Sequence, residues 1–418
     1  MMSKEIYVHV DLQGETHFVG RLWIHAGQNS ETASFEYSRK WRQSPIRFSL
    51  EPTLKLGEGS FHTPIHKSLF GSIGDSAPDR WGRVLMKRLE ARNAKEEKRT
   101  RRLLHDSDFL LMVNDRARQG ALRFTEKEGG PFLTSEDSAS IPPMVELGRL
   151  LAASERILNN KELDQDIHDL VAPGASLGGA RPKASIVDTD GKLMIAKFPS
   201  PNDEWDVEFW EYLAFQMAAK AGIPTPKVQL KKVGEKNVLL LDRFDRKSEI
   251  RIPFLSAMSM LGYNDGDHGS YLEIAEALSE HGAGTTEDLK DLWKRIVFNI
   301  MISNVDDHLR NHGFLYAGSA GWRLSPLYDL EPTPEHEKPR ILHTLIDLDD
   351  GTASLELALS VAEEFGLSTK EAKSSAKEVA NATKNWAKDA ARLGASKDEI
   401  DMMQSAFDHK DLKHGLKG

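Results

Sequence analysis

One stretch constrains this chain more than any other: Asn304-Val305-Asp306-Asp307-His308-Leu309-Arg310-Asn311, a mostly polar run directly behind a long helical pattern from Asp288 to Ser303. The helix contains the most apolar window of the chain, Ile296 to Ile302, and the asparagines at either end of the polar run favour an irregular loop over further helix. A hairpin pattern follows, with Phe314 to Tyr316 and Trp322 to Leu324 as strands, and then Pro326-Leu327-Tyr328-Asp329-Leu330. Helix, polar loop, hairpin and carboxylate therefore come in fixed succession.

Upstream, from Ala172 to about Arg246, the pattern is mixed α/β. Lys183 to Val187 and Leu193 to Phe198 read as a hairpin around Thr189-Asp190-Gly191. Val207 to Ala221 reads as a helix ended by Gly222 with Pro224 just beyond, and Val238 to Leu241 as a short buried strand. The first 70 residues or so are β-rich: Ile6 to Val10 and Phe18 to Ile24 flank a Gln13-Gly14 turn, with further alternation at Ser34 to Tyr37 and Ile46 to Leu50. Helical spacing takes over near Pro78 with Trp81, Leu85 and Leu89; Pro142-Pro143 marks a boundary, and Met144 to Leu158 reads as an amphipathic helix. A chain of 418 residues has room for two or three lobes. The expectation is an α+β protein with a β-rich part over 1–143, a mixed α/β lobe over 144–246 and a helical lobe over 247–418.

Composition removes several alternatives. The chain has no cysteine, which excludes disulfides and thiolate metal sites. Its net charge of -9 argues against nucleic acid as the main partner. The basic run from Arg80 to Arg102 reads as a solvated helix face with Glu90, Glu96 and Glu97 as pairing partners; a contact surface for an acidic partner is the sharper alternative. Met1 to Glu5 pass straight into an alternating strand pattern without the apolar core of a signal peptide, and the most apolar window is too short to span a bilayer, so a cytoplasmic protein without membrane contact is expected.

The ordered residues suit phosphoryl transfer, which demands positioning and charge neutralisation more than covalent chemistry. In Gly174-Ala175-Ser176-Leu177-Gly178-Gly179-Ala180-Arg181-Pro182-Lys183, small residues let backbone amides approach an anion and Lys183 adds charge. It is not a Walker A motif, because Ala180 stands where that lysine belongs, and taken alone it reads as a turn. Lys197 sits in an apolar strand, and Glu211 on the next helix could hold it against ATP phosphates, with Glu208 as the competing carboxylate. Asp306 and Asn311 have the Asp-x4-Asn spacing of a kinase catalytic loop, and Asp329 follows after one hairpin, where a kinase places a second metal-binding carboxylate. Asp306 would orient or deprotonate the acceptor hydroxyl, and Asn311 and Asp329 would ligate magnesium. His308 and His312 lack the glutamate of a metalloprotease pair, and the role expected of His308 is a hydrogen-bonding brace of the loop.

At these residues the chain resembles the HipA family, serine/threonine-kinase toxins of bacterial type II toxin-antitoxin pairs, over nearly its whole length. Asp75-Ser76-Ala77-Pro78-Asp79-Arg80-Trp81-Gly82-Arg83, Ser176 to Lys183, Leu239 to Arg246, Asn304 to Asn311 and Leu327 to Leu330 carry the likeness. The resemblance implies a protein-kinase-like fold of the HipA type and use of ATP with magnesium. It implies a phosphate loop that includes Ser176, Leu177, Gly178, Gly179 and Lys183, with Ser176 matching the autophosphorylated serine whose modification silences the enzyme. Lys197 matches the ATP-binding lysine, Asp242 and Phe244 the hinge whose backbone meets adenine, Asp306 the catalytic base, and Asn311 and Asp329 the magnesium ligands. The partners implied are a HipB-like helix-turn-helix antitoxin, which brings the pair onto operator DNA, and a protein substrate, for which aminoacyl-tRNA synthetases are the family precedent. Arg181-Pro182 replaces the Gln-Glu of some members and Ser259 falls near a glutamine position of others, which bears on substrate identity and toxicity. A degenerate kinase acting as co-repressor is the alternative, against which the full set of Lys197, Asp306, Asn311 and Asp329 weighs; a small-molecule kinase would keep the same site.

Overall fold

The structure, a computed structural model, describes residues 3–27, 30–133, 141–174 and 179–417. The chain forms two compact units, Met1–Asp203 with Lys231–Leu255, and Glu204–Leu230 with Ser256–Gly418.

In the first unit, alternation at the N-terminus produces the antiparallel strands β1 (Ser3–Leu12), β2 (Glu15–Ala26) and β3 (Glu31–Tyr37), joined by β4 (Phe61–His62) and β5 (Leu122–Thr125) in the order β4-β3-β2-β1-β5. Gln13 and Gly14 both have positive φ (55° and 85°), the backbone that matches a two-residue hairpin turn to the twist of its strands. One face carries Ile6, Val8, Val10, Leu22 and Phe35, all fully buried. The strand expected over Ile46 to Leu50 does not form. Its backbone groups find side-chain partners instead of a ladder: Trp41 Nε1 donates to Phe48 O at 3.3 Å, and Leu50 N donates to the Tyr37 hydroxyl at 2.9 Å. Local alternation was outcompeted by two buried aromatic anchors.

The helix Arg80–Glu96 buries Trp81 and Leu85 in the same core as Leu150, Ile157, Ala184, Ile186, Met194, Ala196, Phe198 and Leu240. Pro142-Pro143 is therefore not a break between units. Val187 N donates to Pro142 O at 3.0 Å, and the two stretches share one core. The unit boundary falls after Leu255 rather than Arg246, and the helix Val207–Lys220 belongs to the second unit. The basic face is paired as a solvated helix would be: Arg99 grips buried Glu90 at 2.6 and 3.1 Å, and Arg83 meets Asp106 at 2.5 Å. The Arg99 hydrogen bonds, aided by the Arg102 N–H, hold the Glu90 carboxyl down at about 2. The hairpin Lys183–Val187 with Leu193–Lys197 forms as read, and the second strand pairs with Lys236–Asp242.

The second unit is built around the helix Thr285–Ile302, whose Trp293, Ile296, Val297, Phe298, Ile300, Met301 and Ile302 are fully buried. It packs against helices Tyr271–His281 and Thr369–Thr383. Phe314–Tyr316 and Trp322–Leu324 pair as the expected hairpin, with Phe314 opposite Leu324. Among the described residues no helix is long and apolar enough to cross a membrane.

His409 gives this unit a pH signature. Its Nδ1 accepts from Leu412 N at 3.3 Å and its Nε2 donates to Met301 O at 3.2 Å, an arrangement that calls for the neutral ring. Burial, followed by the nearby Arg340 charge, lowers its pKa to about 4. A histidine depressed in the fold leaves stability intact above its unfolded value of about 6.5 and drains it as pH falls toward 4, by up to about 3 kcal/mol. Melting temperature is expected to drop across that window, and His409→Gln to flatten the drop; an equally steep profile in the variant would contradict this origin.

Candidate active site

The residues singled out by sequence divide between the two units. Gly179, Lys183, Lys197, Asp242 and Phe244 lie in the first; Glu211, Asp306, His308, Asn311 and Asp329 lie in the second. Ser176, Leu177 and Gly178 lie outside the described residues.

In the first unit, the far end of the glycine-rich segment is anchored by the helix before it. Asp79, the N-cap of Arg80–Glu96, accepts from Gly179 N at 2.6 Å, and Trp81 N donates to Gly179 O at 3.4 Å. Gly179 has a φ of 94°, a conformation that glycine alone adopts cheaply. The Trp81 indole then donates to Lys183 O at 3.0 Å. Asp79, noted in the sequence as a mark of a family resemblance, and Trp81, noted also for helical spacing, thus have a physical task. Lys183 and Lys197 are direct cross-strand partners, so both side chains leave the same face of the sheet, and both are buried, at 4% and 6% exposure. Two ammonium groups on one buried face are of the charge type that phosphates require. The next strand ends at Asp242, whose side chain pairs with Lys192, while the Phe244 ring lies 6.2 Å from Phe254.

Below Asp242 and Phe244 lies a charge network that the sequence did not announce. Arg243, Asp245 and Arg246, beside Asp242 and Phe244 in the chain, are all buried. Asp245 accepts from Arg243 at 2.8 and 2.5 Å, from Arg246 at 2.8 Å and from Gly120 N at 2.8 Å. The guanidinium groups reach on to Ala117 O at 2.6 Å and Arg118 O at 2.6 Å. Burial pushes the Asp245 carboxyl up, but the charges of Arg243 and Arg246 overcome it and hold it well below the usual carboxylate range.

In the second unit, the long helix ends where Ser303 turns left-handed (φ 51°), releasing the loop that follows. Asp306 is half exposed and its carboxylate meets Lys338 Nζ at 3.1 Å, an open pair that solvent can exchange. Asn311 is buried, and its Nδ2 donates to Asp306 O at 3.3 Å, which leaves the amide oxygen as the atom available to a cation. The segment after the hairpin is laid along this loop by three hydrogen bonds: Tyr328 OH to Arg310 O at 2.6 Å, Glu331 N to Asn304 Oδ1 at 3.2 Å, and Thr333 N to Ser303 O at 3.1 Å. Asp329 lies between the first two anchors, with a left-handed φ of 62° that aspartate tolerates better than most residues. Asp306, Asn311 and Asp329 are thereby gathered on one locality. A carboxylate and an amide oxygen are hard donors that suit magnesium, which keeps several waters and takes its other ligands from phosphate.

Glu211 and Glu208 are both buried on Val207–Lys220, one turn apart, and the choice between them stands as the sequence left it. The brace expected of His308 is made by His312, whose Nε2 lies 2.8 Å from Asp307 Oδ2, whereas His308 Nδ1 is buried without a hydrogen-bond partner among the described residues. His308 instead meets the edge of the His343 ring at 6.0 Å. Burial, then the neighbouring His268 and His308, push His343 below its ordinary value. Among the described residues no group of three or more His, Asp or Glu side chains is placed to hold a metal ion. Lys338 was missed because nothing local marks a lysine so far along the chain as a neighbour of Asp306.

The sequence model of a family described as the HipA-like C-terminal domain matches residues 175–387. A putative kinase of Haemophilus influenzae is 23% identical over 210 residues, which cover 44% of this chain and 61% of that protein. A putative kinase of Sinorhizobium fredii is 26% identical over 184 residues, covering 38% of this chain and 42% of that one. The chain thus spans about half the length of these curated relatives. A solved structure of the HipA toxin of Shewanella oneidensis, in complex with HipB and operator DNA, superimposes with a TM-score of 0.64 at 17% identity, over 99% of this chain and 96% of that one. That likeness establishes a shared fold, protein-kinase-like of the HipA type.

Proposed function

Since the chain belongs to the HipA-like C-terminal domain family, we propose that it is an ATP-dependent serine/threonine protein kinase, the toxin of a bacterial toxin-antitoxin pair. The observation that carries the reading is the locality of Asp306, Asn311 and Asp329, fixed by the Tyr328 and Glu331 hydrogen bonds. Asp306 accepts the proton of the acceptor hydroxyl as that oxygen bonds to the γ-phosphorus; the bond from γ-phosphorus to the bridging oxygen breaks, and ADP leaves. Lys183 and Lys197 neutralise phosphate charge. The backbone near Asp242 and Phe244 receives adenine. Asn311 and Asp329 would hold magnesium, which would supply neutralisation of charge on the phosphate oxygens.

The substrate in this reading is a cellular protein, and Ser176 is the autophosphorylated residue. A HipB-like helix-turn-helix antitoxin is the proposed partner, with DNA contacted only through it; the neighbouring Shewanella assembly supports this by analogy. The test combines two measurements. Mg-ATP should raise the melting temperature, by the linkage of ligand binding to stability, and labelled ATP should transfer phosphate to Ser176 or to a protein in lysate. Neither a thermal shift nor transfer would instead support a co-repressor that retains the fold without the chemistry.

A further inference from the structure

The loop holds more buried polar chemistry than phosphoryl transfer itself uses. Asp307 follows Asp306, His312 follows Asn311, and both Asp307 and His312 are fully buried. We infer that Asp307 and His312 are positioning residues whose mutual hydrogen bond fixes Asp306 and Asn311 in register with each other and with Asp329. This rests on the kinase reading above.

The geometry supports the inference at both ends of the loop. Asp307 Oδ2 accepts from His312 Nε2 at 2.8 Å, from Asn299 Nδ2 at 2.9 Å and from the Tyr271 hydroxyl. Its backbone oxygen accepts from Thr344 N at 3.1 Å and Thr344 Oγ1 at 2.6 Å. His312 O accepts from Ala257 N at 2.8 Å, and its ring stands edge-on to Tyr271 at 5.3 Å. The same network reaches the metal-binding segment: Asn299 Oδ1 accepts from Asn304 Nδ2 at 3.0 Å, and Asn304 Oδ1 accepts from Glu331 N, two residues beyond Asp329. One chain of contacts therefore connects the residue after the base, the residue after one metal ligand and the segment of the other.

Cost argues in the same direction. A carboxylate taken out of water is expensive unless paired, and an apolar residue would fill the same volume without that penalty. Burial pushes the Asp307 carboxyl up, but His312, through its charge and hydrogen bond, and the Tyr271 hydroxyl bring it below its ordinary value. Neither residue is exposed to acceptor or nucleotide, so each acts through its neighbour in the chain.

The test uses the full chain and measures phosphotransfer per folded molecule, alongside the Mg-ATP thermal shift. His312→Ala is expected to lower kcat by about 10- to 100-fold, the scale of a misplaced reacting group, with KM for ATP within about twofold. His312→Gln places an amide donor near Nε2 and should recover kcat to within about fivefold of wild type. A folded His312→Ala chain with wild-type kcat overturns the inference, as does a folded His312→Gln chain no better than the alanine. If His312→Ala fails to fold, Tyr271→Phe removes one hydroxyl and keeps the ring; about a fivefold or larger fall in kcat is expected, and no fall overturns the inference. A wild-type chain without transfer defeats the kinase reading and this inference together, whereas an active wild type with an indifferent His312→Ala defeats this inference alone.

Discussion

Replacing Asp306 by alanine is expected to cut phosphotransfer by about 10²- to 10⁴-fold, the range over which a positioned general base contributes. The fold should be nearly untouched. The Asp306 side chain is half exposed and meets Lys338 in an open ion pair, so its removal should change stability by no more than about 1 kcal/mol. The contact that organises the loop here, Asn311 Nδ2 on Asp306 O, belongs to the backbone and survives the substitution. Labelled ATP reads the first effect and a thermal melt the second. Undiminished labelling by a folded Asp306→Ala chain would remove Asp306 as the base.

Replacing Asp245 by alanine should do the reverse, acting on stability rather than on chemistry. Asp245 is buried between Arg243 and Arg246 and also receives Gly120 N, so its loss strands two guanidinium groups in the interior. Breaking one side of such a pair costs about 3–5 kcal/mol. Domains have only about 5–15 kcal/mol to lose. The urea midpoint should fall accordingly, and a midpoint within error of wild type would show that the arginines find other partners. The network ties residues 117–120 to the strand end that carries Asp242 and Phe244, so a surviving Asp245→Ala chain should also bind ATP more weakly.

Much of the organisation was legible without coordinates. Where one residue pattern determines one local structure, reading along the chain succeeds. The hairpins at Lys183–Lys197 and Phe314–Leu324, the helix ended by Gly222 and the Gln13-Gly14 turn all have local causes, such as alternation or a residue that tolerates positive φ. Reading failed where the cause was distant. Ile46 to Leu50 alternates like a strand, but Trp41 and Tyr37 take its backbone hydrogen bonds. Pro142-Pro143 looks like a linker, yet Trp81 and Leu85 from before it share a core with Ile186 and Met194 from after it. Glycine-rich segments are similarly ambiguous from sequence; here Asp79 and Trp81 mark where the segment is held.

The loop from Asn304 to Asn311 shows the division most clearly. By itself the sequence determined the chemical inventory: Asp306 and Asn311 at kinase spacing, Asp329 after one hairpin, Lys183 and Lys197 on adjacent strands, in an order that restricts the fold. Only the tertiary structure decided which side chains hold that inventory in place. His312 rather than His308 braces the loop because His312 is the ring that reaches the buried Asp307 carboxylate, while Tyr271 and Asn299 arrive from separate helices. Side-chain type and spacing are properties of the chain. The partner of a buried polar group is set by which elements pack around it, and that packing follows from apolar burial across the whole unit.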